Sequence, residues 1–245
     1  MPRSRNLYTN KSDREKPFKL SRSKVDLFLE CPRCFYIDRK KGTGRPPSFP
    51  FNLNNAVDQL LKNEFDIYRA KKNRHPYMIE NNINAIPYTH ELLDEWRANF
   101  KGVQYLDQST NLLLHGAIDD LWIDLDTNQL IVVDYKATSK KEEVSLDANW
   151  QISYKRQIEF YQWLLRMNEE EISDVSYFVY LNGLKEDLLF DNKLTFKVKV
   201  IPYKGNTAWI PSVISRIFRV LENDEPPDSS IGCEYCIYVN EFVSV

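Results

Sequence analysis

The sequence has 245 residues and a formal net charge of −2, with 42% apolar and 28% charged residues. At this length roughly 70–75% of the surface of the unfolded chain is buried on folding, so the composition predicts a globular protein rather than a disordered one. No apolar run approaches the roughly 20 residues that span a bilayer, and the N-terminal residues lack the apolar core of a signal peptide. We therefore expect a cytoplasmic protein that does not enter a membrane.

The charge is unevenly distributed along the chain. Residues 1–45 carry 13 Lys and Arg against 5 Asp and Glu, a net charge of +8, which leaves −10 for residues 46–245. A basic segment on an acidic body is compatible with contact to a polyanion such as nucleic acid. For residues 1–18 the composition instead predicts a flexible, solvated basic leader. A single domain is expected to follow over residues 19–245.

The first part of the sequence predicts helices. The stretch "LSRSKVDLFLECPRCFYIDRKKG" begins with serines suited to cap a helix, and it predicts a short helix that ends near Cys31 and then another helical turn. Residues 53–72 have apolar residues at helical spacing and predict a long amphipathic helix. The stretch "KNRHPYMIENNINAIPY" is typical of a loop, and "THELLDEWRANF" predicts another helix.

The middle of the sequence changes to strand patterns. Residues 110–138 contain two or three β-rich runs, and "DTN" between "LWIDL" and "QLIVV" predicts the turn of a hairpin. Residues 147–167 predict a helix, "VSYFVYLNG" and "LTFKVKVIPY" two more strands, and "TAWIPSVISRIFRVLEN" a last helix. This order predicts an α/β fold with a single central mixed sheet flanked by helices.

Two aspartates are expected to meet at one end of the hairpin. Asp134 and Lys136 end the strand "LIVVDYKAT" and share a face, since residues i and i+2 of a strand point to the same side, while Tyr135 points to the other. The hairpin brings Asp119, at the start of the preceding strand, close to Asp134. Like charges held together resist ionisation, so converging carboxylates indicate a hard divalent cation such as Mg²⁺. Lys136 would then orient a water molecule or stabilise charge on a phosphate.

Simpler explanations of these residues remain open at this point. An Asp-x-Lys pair alone is most often a surface ion pair worth less than about 1 kcal/mol. The apolar strand before Asp134 argues against this, because buried charge needs a partner. Gln157 and Tyr161 are four residues apart and share a helix face. By spacing alone, packing of that helix on the sheet explains them better than a role in a site.

All four cysteines occur in two Cys-x-x-Cys pairs near the ends of the chain. Paired cysteines without a secretion signal indicate a metal or cluster site rather than disulfides. Two such loops can supply four thiolates in a tetrahedral arrangement, and either Zn²⁺ or a [4Fe–4S] cluster fits four thiolates. The other alternative is that the first pair consists of buried thiols without a metal. The residues concerned are Cys31, Cys34, Cys233 and Cys236.

The motifs together resemble the PD-(D/E)XK nuclease superfamily. They are most similar to its RecB-like branch, which includes the CRISPR adaptation exonuclease and the helicase-associated AddB nuclease. That branch shows Gly-x-x-Asp, then an apolar strand with Asp-x-Lys, then Gln-x-x-x-Tyr, and this sequence has "GAID", "IVVDYKAT" and "QIEFY" in the same order. The resemblance covers residues 21–236. It implies a restriction-endonuclease-like core, plus an N-terminal helical segment closed against the C-terminus by a cysteine cluster.

The resemblance also implies roles for the residues of these motifs. Asp119, Asp134 and the main-chain carbonyl of Tyr135 would bind Mg²⁺ or Mn²⁺, and Lys136 would be the catalytic lysine. Two residues of the following helix would line the site or contact the nucleic acid strand: Gln157 and Tyr161. Relatives often carry an iron–sulfur cluster that joins the two ends of the chain. The resemblance therefore favours [4Fe–4S] over Zn²⁺ as the group held by the four cysteines.

Two features depart from the pattern of the family. Its members usually carry a histidine near the metal on the helix before these strands, where this sequence has "NNAVD" with Asn54 and Asp58. Asp58 can also bind a hard cation as a further metal ligand, or it can be a solvated helical residue. Cluster-bearing relatives commonly use one N-terminal and three C-terminal cysteines, whereas here the cysteines are divided two and two.

These observations predict a metal-dependent nuclease that hydrolyses DNA phosphodiester bonds, and the resemblance implies that the hydrolysis leaves 5′-phosphates. The resemblance implies an exonuclease on single-stranded or frayed DNA, acting in DNA repair, recombination or CRISPR-type processing with a helicase or integrase partner. The alternatives are a non-catalytic nucleic-acid-binding or scaffold subunit that keeps the fold, and a subunit that is active only with its partner. Basic residues of the N-terminal part would hold the DNA backbone in a salt-sensitive manner: Arg33, Arg39, Lys40, Lys41 and Arg45.

Overall fold

The computed structural model describes residues 6–47, 52–186, 189 and 191–244. By their contacts, the residues form two compact units. The terminal unit consists of Met1–Phe49, Gln104–Gly116 and Ala208–Val245. The central unit consists of Pro50–Val103 and Ala117–Thr207. This division into units does not test the prediction of one nuclease domain over residues 19–245, which stays a prediction.

The described residues contain both helices and strands. The helices, in chain order, are α1 (Arg22–Glu30), α2 (Pro32–Tyr36), α3 (Asn52–Lys71), α4 (Pro76–Glu80), α5 (Leu93–Arg97), α6 (Ile152–Met167), α7 (Ile210–Glu222) and α8 (Glu234–Val243). The strands are β1 (Phe18–Ser21), β2 (Ala85–Pro87), β3 (Val103–Asp107), β4 (Leu112–Gly116), β5 (Asp120–Asp124), β6 (Leu130–Thr138), β7 (Val175–Gly183) and β8 (Phe196–Lys204). Short 3₁₀ turns occur at Lys11–Asp13 and Asn149–Gln151, and a π-helical segment at Ile37–Lys41.

A five-stranded mixed sheet organises the central unit. Its strands lie in the order β2-β5-β6-β7-β8. β5 and β6 are antiparallel and pair Asp120 with Val133, which confirms the hairpin predicted from the sequence. β6 and β7 run parallel, and β8 returns antiparallel to β7. The predicted α/β fold with a central mixed sheet is therefore confirmed.

The two faces of this sheet pack on different helices. Side chains alternate along β6, so Val133 and Tyr135 lie on one face while Asp134 and Lys136 lie on the other. The first face forms a core with α3 through a stripe of buried residues spaced four apart: Val57, Leu61 and Phe65. The second face forms a core with α6 through Ile158, Phe178 and Tyr180. The alternation therefore directs the two charged side chains of β6 toward the α6 side.

The terminal unit has a sheet of its own, with the strand order β1-β4-β3. β1 runs parallel to β4 and pairs Phe18 with Leu112. The prediction of a single sheet is therefore wrong, because strands as short as β1 carry too little alternation to be recognised. Tyr8, in the segment predicted to be a flexible leader, is buried, with its ring centroid 5.1 Å from that of Phe18.

Three other short elements were not expected from the sequence. The stretch predicted to be a loop before residue 89 contains α4 and β2, and the C-terminal cysteine pair leads into α8. The ring of His75 caps α4 by accepting a hydrogen bond from the backbone N–H of Tyr77 at 3.1 Å, and Pro76 begins the helix. None of the helices in the described ranges is long and apolar enough to span a membrane.

Candidate active site

The carboxylates predicted to converge lie where β5 begins. Asp119 is the residue before β5, and its Oδ2 accepts a hydrogen bond from the backbone N–H of Tyr135 at 3.0 Å. Asp134 lies on the adjacent strand β6 and has no exposed surface. The negative charge of Asp119 reaches Asp134 and helps to raise its pKa. The hairpin therefore brings Asp119 and Asp134 together.

Lys136 is held beside this acidic pair. Its ammonium group forms an ion pair with Asp134 on the same face of β6. Burial raises the pKa of Asp134 to about 7, although Lys136 acts in the opposite direction. Burial alone would lower the pKa of Lys136, but the charges of Asp134 and Asp119 outweigh it and raise that pKa. Lys136 is therefore a protonated cation in contact with a buried carboxyl group.

Helix α6 positions the ammonium group of Lys136. Lys136 Nζ donates a hydrogen bond to Gln157 Oε1 at 3.3 Å, and Gln157 Nε2 donates one to the Tyr161 hydroxyl at 3.1 Å. The Tyr154 ring lies under the ammonium group, with 4.7 Å from Nζ to the ring centroid. Tyr161 is only 4% exposed, so it orients Gln157 from inside the protein. Both predicted helix residues thus belong to a polar chain that begins at Lys136.

Helix α3 contributes Asp58 and a lysine that the sequence interpretation missed. Lys62 Nζ lies 2.8 Å from Asp58 Oδ2 and 3.4 Å from Asp119 Oδ1, so it bridges the two carboxylates. Burial raises the pKa of Asp58, and repulsion from Asp119 adds to the rise. The signal for Lys62 in the sequence is its place four residues after Asp58, one helical turn away on the same face. Asn54, one turn before Asp58, donates to the carbonyl oxygen of Ala137 at 3.0 Å.

A buried acidic residue behind the site holds its geometry. Asp120 has no exposed surface; Arg97 Nη2 lies 2.8 Å from its Oδ1, and the Tyr135 hydroxyl donates to its Oδ2 at 2.6 Å. Arg69 pairs with the same carboxylate. Arg97 Nε also donates to the carbonyl oxygen of Asp119 at 3.0 Å. The backbone of Asp119 and the ring of Tyr135 are therefore fixed by one network, which no sequence motif marks.

The donor atoms of this site fit a hard divalent cation. Asp58, Asp119 and Lys136 line an open cavity of about 730 Å³ within the central unit. Asp58 Oδ1 and Asp134 Oδ1 are buried and have no hydrogen-bond partner among the residues that the structure describes. Buried carboxylate oxygens without donors are costly, and Mg²⁺ or Mn²⁺ prefers such oxygen ligands. Because the N–H and C=O of a strand residue face the same neighbour, the Tyr135 carbonyl lies on the side of Asp119.

The chain matches the model of a known protein family. The family model for the PD-(D/E)XK nuclease superfamily matches residues 50–240. The chain belongs to the PD-(D/E)XK nuclease superfamily. Members of this superfamily are generally metal-dependent nucleases. No protein with a curated description matches the sequence.

One solved structure is similar over most of the chain. It is described as "Crystal structure of SSO0001", and the similarity covers 94% of this chain and 87% of that chain. The sequences are 16% identical, and the TM-score is 0.38. A likeness at this level is too weak to support an argument about the fold or the function.

The four cysteines meet within the terminal unit. Cys31 immediately precedes α2 and Cys233 immediately precedes α8, so each pair begins a helix. The four sulfur atoms all lie within 4.8 Å of one another, those of Cys31, Cys34, Cys233 and Cys236. The predicted closure of the N-terminal helical segment against the C-terminus by a cysteine cluster is confirmed.

Three of the five basic residues predicted to hold DNA have partners within the terminal unit. Arg39 Nε lies 2.6 Å from Asp38 Oδ2, and Asp38 is buried. Lys40 donates to the carbonyl oxygen of Asn223 at 2.6 Å, and Arg45 pairs with a glutamate of α1. These side chains therefore hold the N-terminal segment in place, which reduces the charge that they can offer to a DNA backbone.

Proposed function

We propose that this protein is a metal-dependent nuclease that hydrolyses DNA phosphodiester bonds and leaves 5′-phosphates. The observation that carries the proposal is the pairing of buried Asp134 with protonated Lys136 on one strand, next to Asp119 and Asp58 at one cavity. A bound Mg²⁺ or Mn²⁺ supplies polarisation of the phosphate and activation of the attacking water. Asp58, Asp119, Asp134 and the Tyr135 carbonyl are the residues that would hold it.

Lys136 has the protonation state and the position that electrostatic catalysis requires. Because its pKa is raised, it keeps its protons and can donate a hydrogen bond to the attacking water or to a phosphate oxygen. A fixed cation at that point stabilises the negative charge that grows on the phosphate in the transition state. Gln157 accepts one of the three ammonium protons and so restricts the directions of the other two. Lys62 is a second cation near Asp119 that can bind a phosphate oxygen.

The surroundings of Lys136 support single-stranded or frayed DNA as the substrate. Trp150 is 59% exposed and packs edge-on against Tyr154, with 5.3 Å between the ring centroids. Tyr154 in turn contacts Lys136. An exposed indole next to a catalytic lysine can stack on an unpaired base, an interaction worth roughly 1–3 kcal/mol per base. Such a contact is available only where the strands are separated.

The finer assignments rest on the order of the sequence motifs. They are membership of the RecB-like branch, attack from a DNA end, and work in DNA repair, recombination or CRISPR-type processing. A helicase or integrase partner would present the separated strand. Circular single-stranded DNA tests the mode of attack, because an exonuclease leaves it intact while it degrades the linear form of the same sequence. Cleavage of the circle would contradict exonuclease action and would leave the nuclease proposal standing.

The central test compares the wild type with Lys136→Ala in a cleavage assay with Mg²⁺ or Mn²⁺ on single- and double-stranded DNA. We expect the variant to lose activity by on the order of 10²-fold or more, because a fixed charge at the transition state is removed. Lys204→Ala, at an exposed position of β8, is the matched control and should keep full activity. Thermal melting of both variants shows whether they fold.

One outcome would overturn the proposal of catalysis. If wild type and Lys136→Ala are equally inactive with either metal, and stay so when a candidate helicase or integrase is added, the enzyme proposal fails. A protein that then still binds DNA would be the non-catalytic binding or scaffold subunit. Activity that appears only with the partner would instead support the partner-dependent nuclease.

A further inference from the structure

The cysteine cluster of the terminal unit has a specific size. The sulfur atom of Cys34 lies 3.6 Å from that of Cys233 and 3.6 Å from that of Cys236. The sulfur atoms of Cys31 and Cys236 are 3.8 Å apart. A disulfide would bring two of them to about 2 Å, so these three pairs are not bonded to each other. All four cysteines are free thiols, and every pair of sulfur atoms lies within 4.8 Å.

These separations correspond to four ligands of one ion. A regular tetrahedron with metal–sulfur bonds of about 2.3 Å has edges of about 3.8 Å. The three sulfur–sulfur distances of 3.6, 3.6 and 3.8 Å match that edge. A [4Fe–4S] cluster instead places four irons and four sulfides between the thiolates, one thiolate on each iron, so its thiolates stand much further apart. The cysteines therefore do not fit the cluster that the family resemblance implies.

The surroundings of the four sulfur atoms also suit one closed ion site. Arg45 Nη2 lies 3.8 Å from the sulfur of Cys233, and its guanidinium group stacks on the ring of Tyr235 at 4.5 Å. Four thiolates around one divalent ion leave an excess of two negative charges, which a guanidinium group partly offsets. Leu27 packs against the cysteines, and three of the four cysteines are buried.

The geometry points to a mononuclear zinc site, with Zn²⁺ held tetrahedrally by Cys31, Cys34, Cys233 and Cys236. Two Cys-x-x-Cys loops are the ligand pattern of structural zinc sites, whose four positions are all filled by protein. The site therefore has a structural role: it joins the N-terminal and C-terminal segments of the terminal unit. It is separate from the carboxylate site of the proposed nuclease, and neither proposal depends on the other.

The metal and sulfide content of the full-length protein tests this inference. The chain is produced in medium that contains both iron and zinc, and it is purified without oxygen or chelator. We expect about one zinc per chain, no acid-labile sulfide and no visible colour. Replacement of zinc by Co²⁺ should give the intense absorption of a tetrahedral thiolate complex. Stoichiometric iron with sulfide would overturn the inference, as would iron without sulfide or a protein free of metal.

A pair of variants tests which residues hold the ion. Cys236→Ser removes one thiolate and should lower the zinc content of the protein. Ser230→Ala is the matched control, because Ser230 contacts the cluster through its backbone, which the substitution keeps, and the variant should keep its zinc. Its carbonyl oxygen accepts a hydrogen bond from the N–H of Cys233 at 3.1 Å, and its backbone also hydrogen-bonds to Cys31. An equal zinc content in both variants would contradict the assigned ligands. If Cys236→Ser fails to fold, the measurements on the wild type still decide between zinc and the cluster.

Discussion

Lys62 is the residue whose charge most directly opposes a cation at the proposed active site. Its ammonium group lies 2.8 Å from Asp58 and 3.4 Å from Asp119. Burial would lower the pKa of Lys62, but these two carboxylates outweigh it and raise that pKa. A permanent ammonium group therefore occupies carboxylate oxygens that a divalent cation would need. The proposed cation and Lys62 compete for the same ligands.

We predict that Lys62→Met binds Mn²⁺ more tightly than the wild type. The expected gain is roughly 5–10-fold, which corresponds to about 1 kcal/mol for one partly buried charge. Titration calorimetry with Mn²⁺ measures it, and Lys62→Arg, which keeps the charge, is the control. Without metal, Lys62→Met should melt at a lower temperature, because Asp58 and Asp119 are left to repel each other. Unchanged or weaker Mn²⁺ binding by Lys62→Met would contradict the competition.

Trp150 is the residue expected to distinguish unpaired from paired DNA. We predict that Trp150→Ala weakens binding to a single-stranded oligonucleotide by about 5- to 100-fold, the equivalent of roughly 1–3 kcal/mol for the loss of one stacked base. Fluorescence anisotropy measures the affinity in a Lys136→Ala background, so that the DNA is not cleaved. Trp150→Phe should keep most of the affinity, and binding to blunt duplex should not change. Equal losses on both kinds of DNA would show that Trp150 does not read the unpaired state.

Four secondary-structure elements converge on the carboxylate of Asp120. This residue begins β5, and its side chain is held by Arg69 of α3, Arg97 of α5 and the hydroxyl of Tyr135 on β6. Two guanidinium groups and one phenol therefore share a single buried negative charge, and both guanidinium groups also pair with the half-exposed Asp66. The same network reaches the carbonyl of Asp119 through Arg97, so the order of the active site depends on it.

We predict that Asp120→Asn lowers the free energy of unfolding by about 3 kcal/mol, because it removes the buried negative charge that Arg69 and Arg97 share. Both guanidinium groups are then left with the half-exposed carboxylate of Asp66. Urea denaturation followed by circular dichroism measures the change. Asp147→Asn, at an exposed position, is the matched control and should shift stability by less than about 0.5 kcal/mol. If both variants were equally stable, the network would not support the fold in the way described.

Long elements could be predicted from the sequence because their own residues carry the pattern. α3 shows its buried stripe at four-residue spacing, and β6 and β7 are runs of strand-forming residues. β1 and α4 have four and five residues, too few for a repeat, so their contacts with the rest of the chain decide their structure. The site divides in the same way. Asp134 and Lys136 follow from strand alternation, whereas Lys62 and Asp120 depend on which elements pack together.

The terminal unit is assembled from three separate segments of the chain. Met1–Phe49 and Ala208–Val245 belong to the same unit, although the whole sequence of the central unit lies between them. Bringing such distant segments together costs chain entropy. The cysteine cluster is one of these contacts, since Cys31 and Cys236 are 205 residues apart in sequence. A bond at that point restricts the unfolded chain more than a local contact would.

We predict that loss of the cysteine cluster destabilises the protein strongly, because the cluster closes a long loop of the chain. A cross-link over about 100 residues is worth roughly 4–5 kcal/mol in the loop-entropy account, and measured values are typically 2–4 kcal/mol. Cys236→Ser should therefore lower the free energy of unfolding by about 2–4 kcal/mol in zinc-containing buffer. Urea denaturation measures this, with Ser230→Ala as the control of unchanged stability.

Treatment of the wild type with a strong chelator should lower its free energy of unfolding by a similar amount. The same treatment of Cys236→Ser should lower its free energy of unfolding little further. A chelator that leaves the wild type unchanged, together with a stable Cys236→Ser, would show that the bound ion does not tie the two ends of the chain.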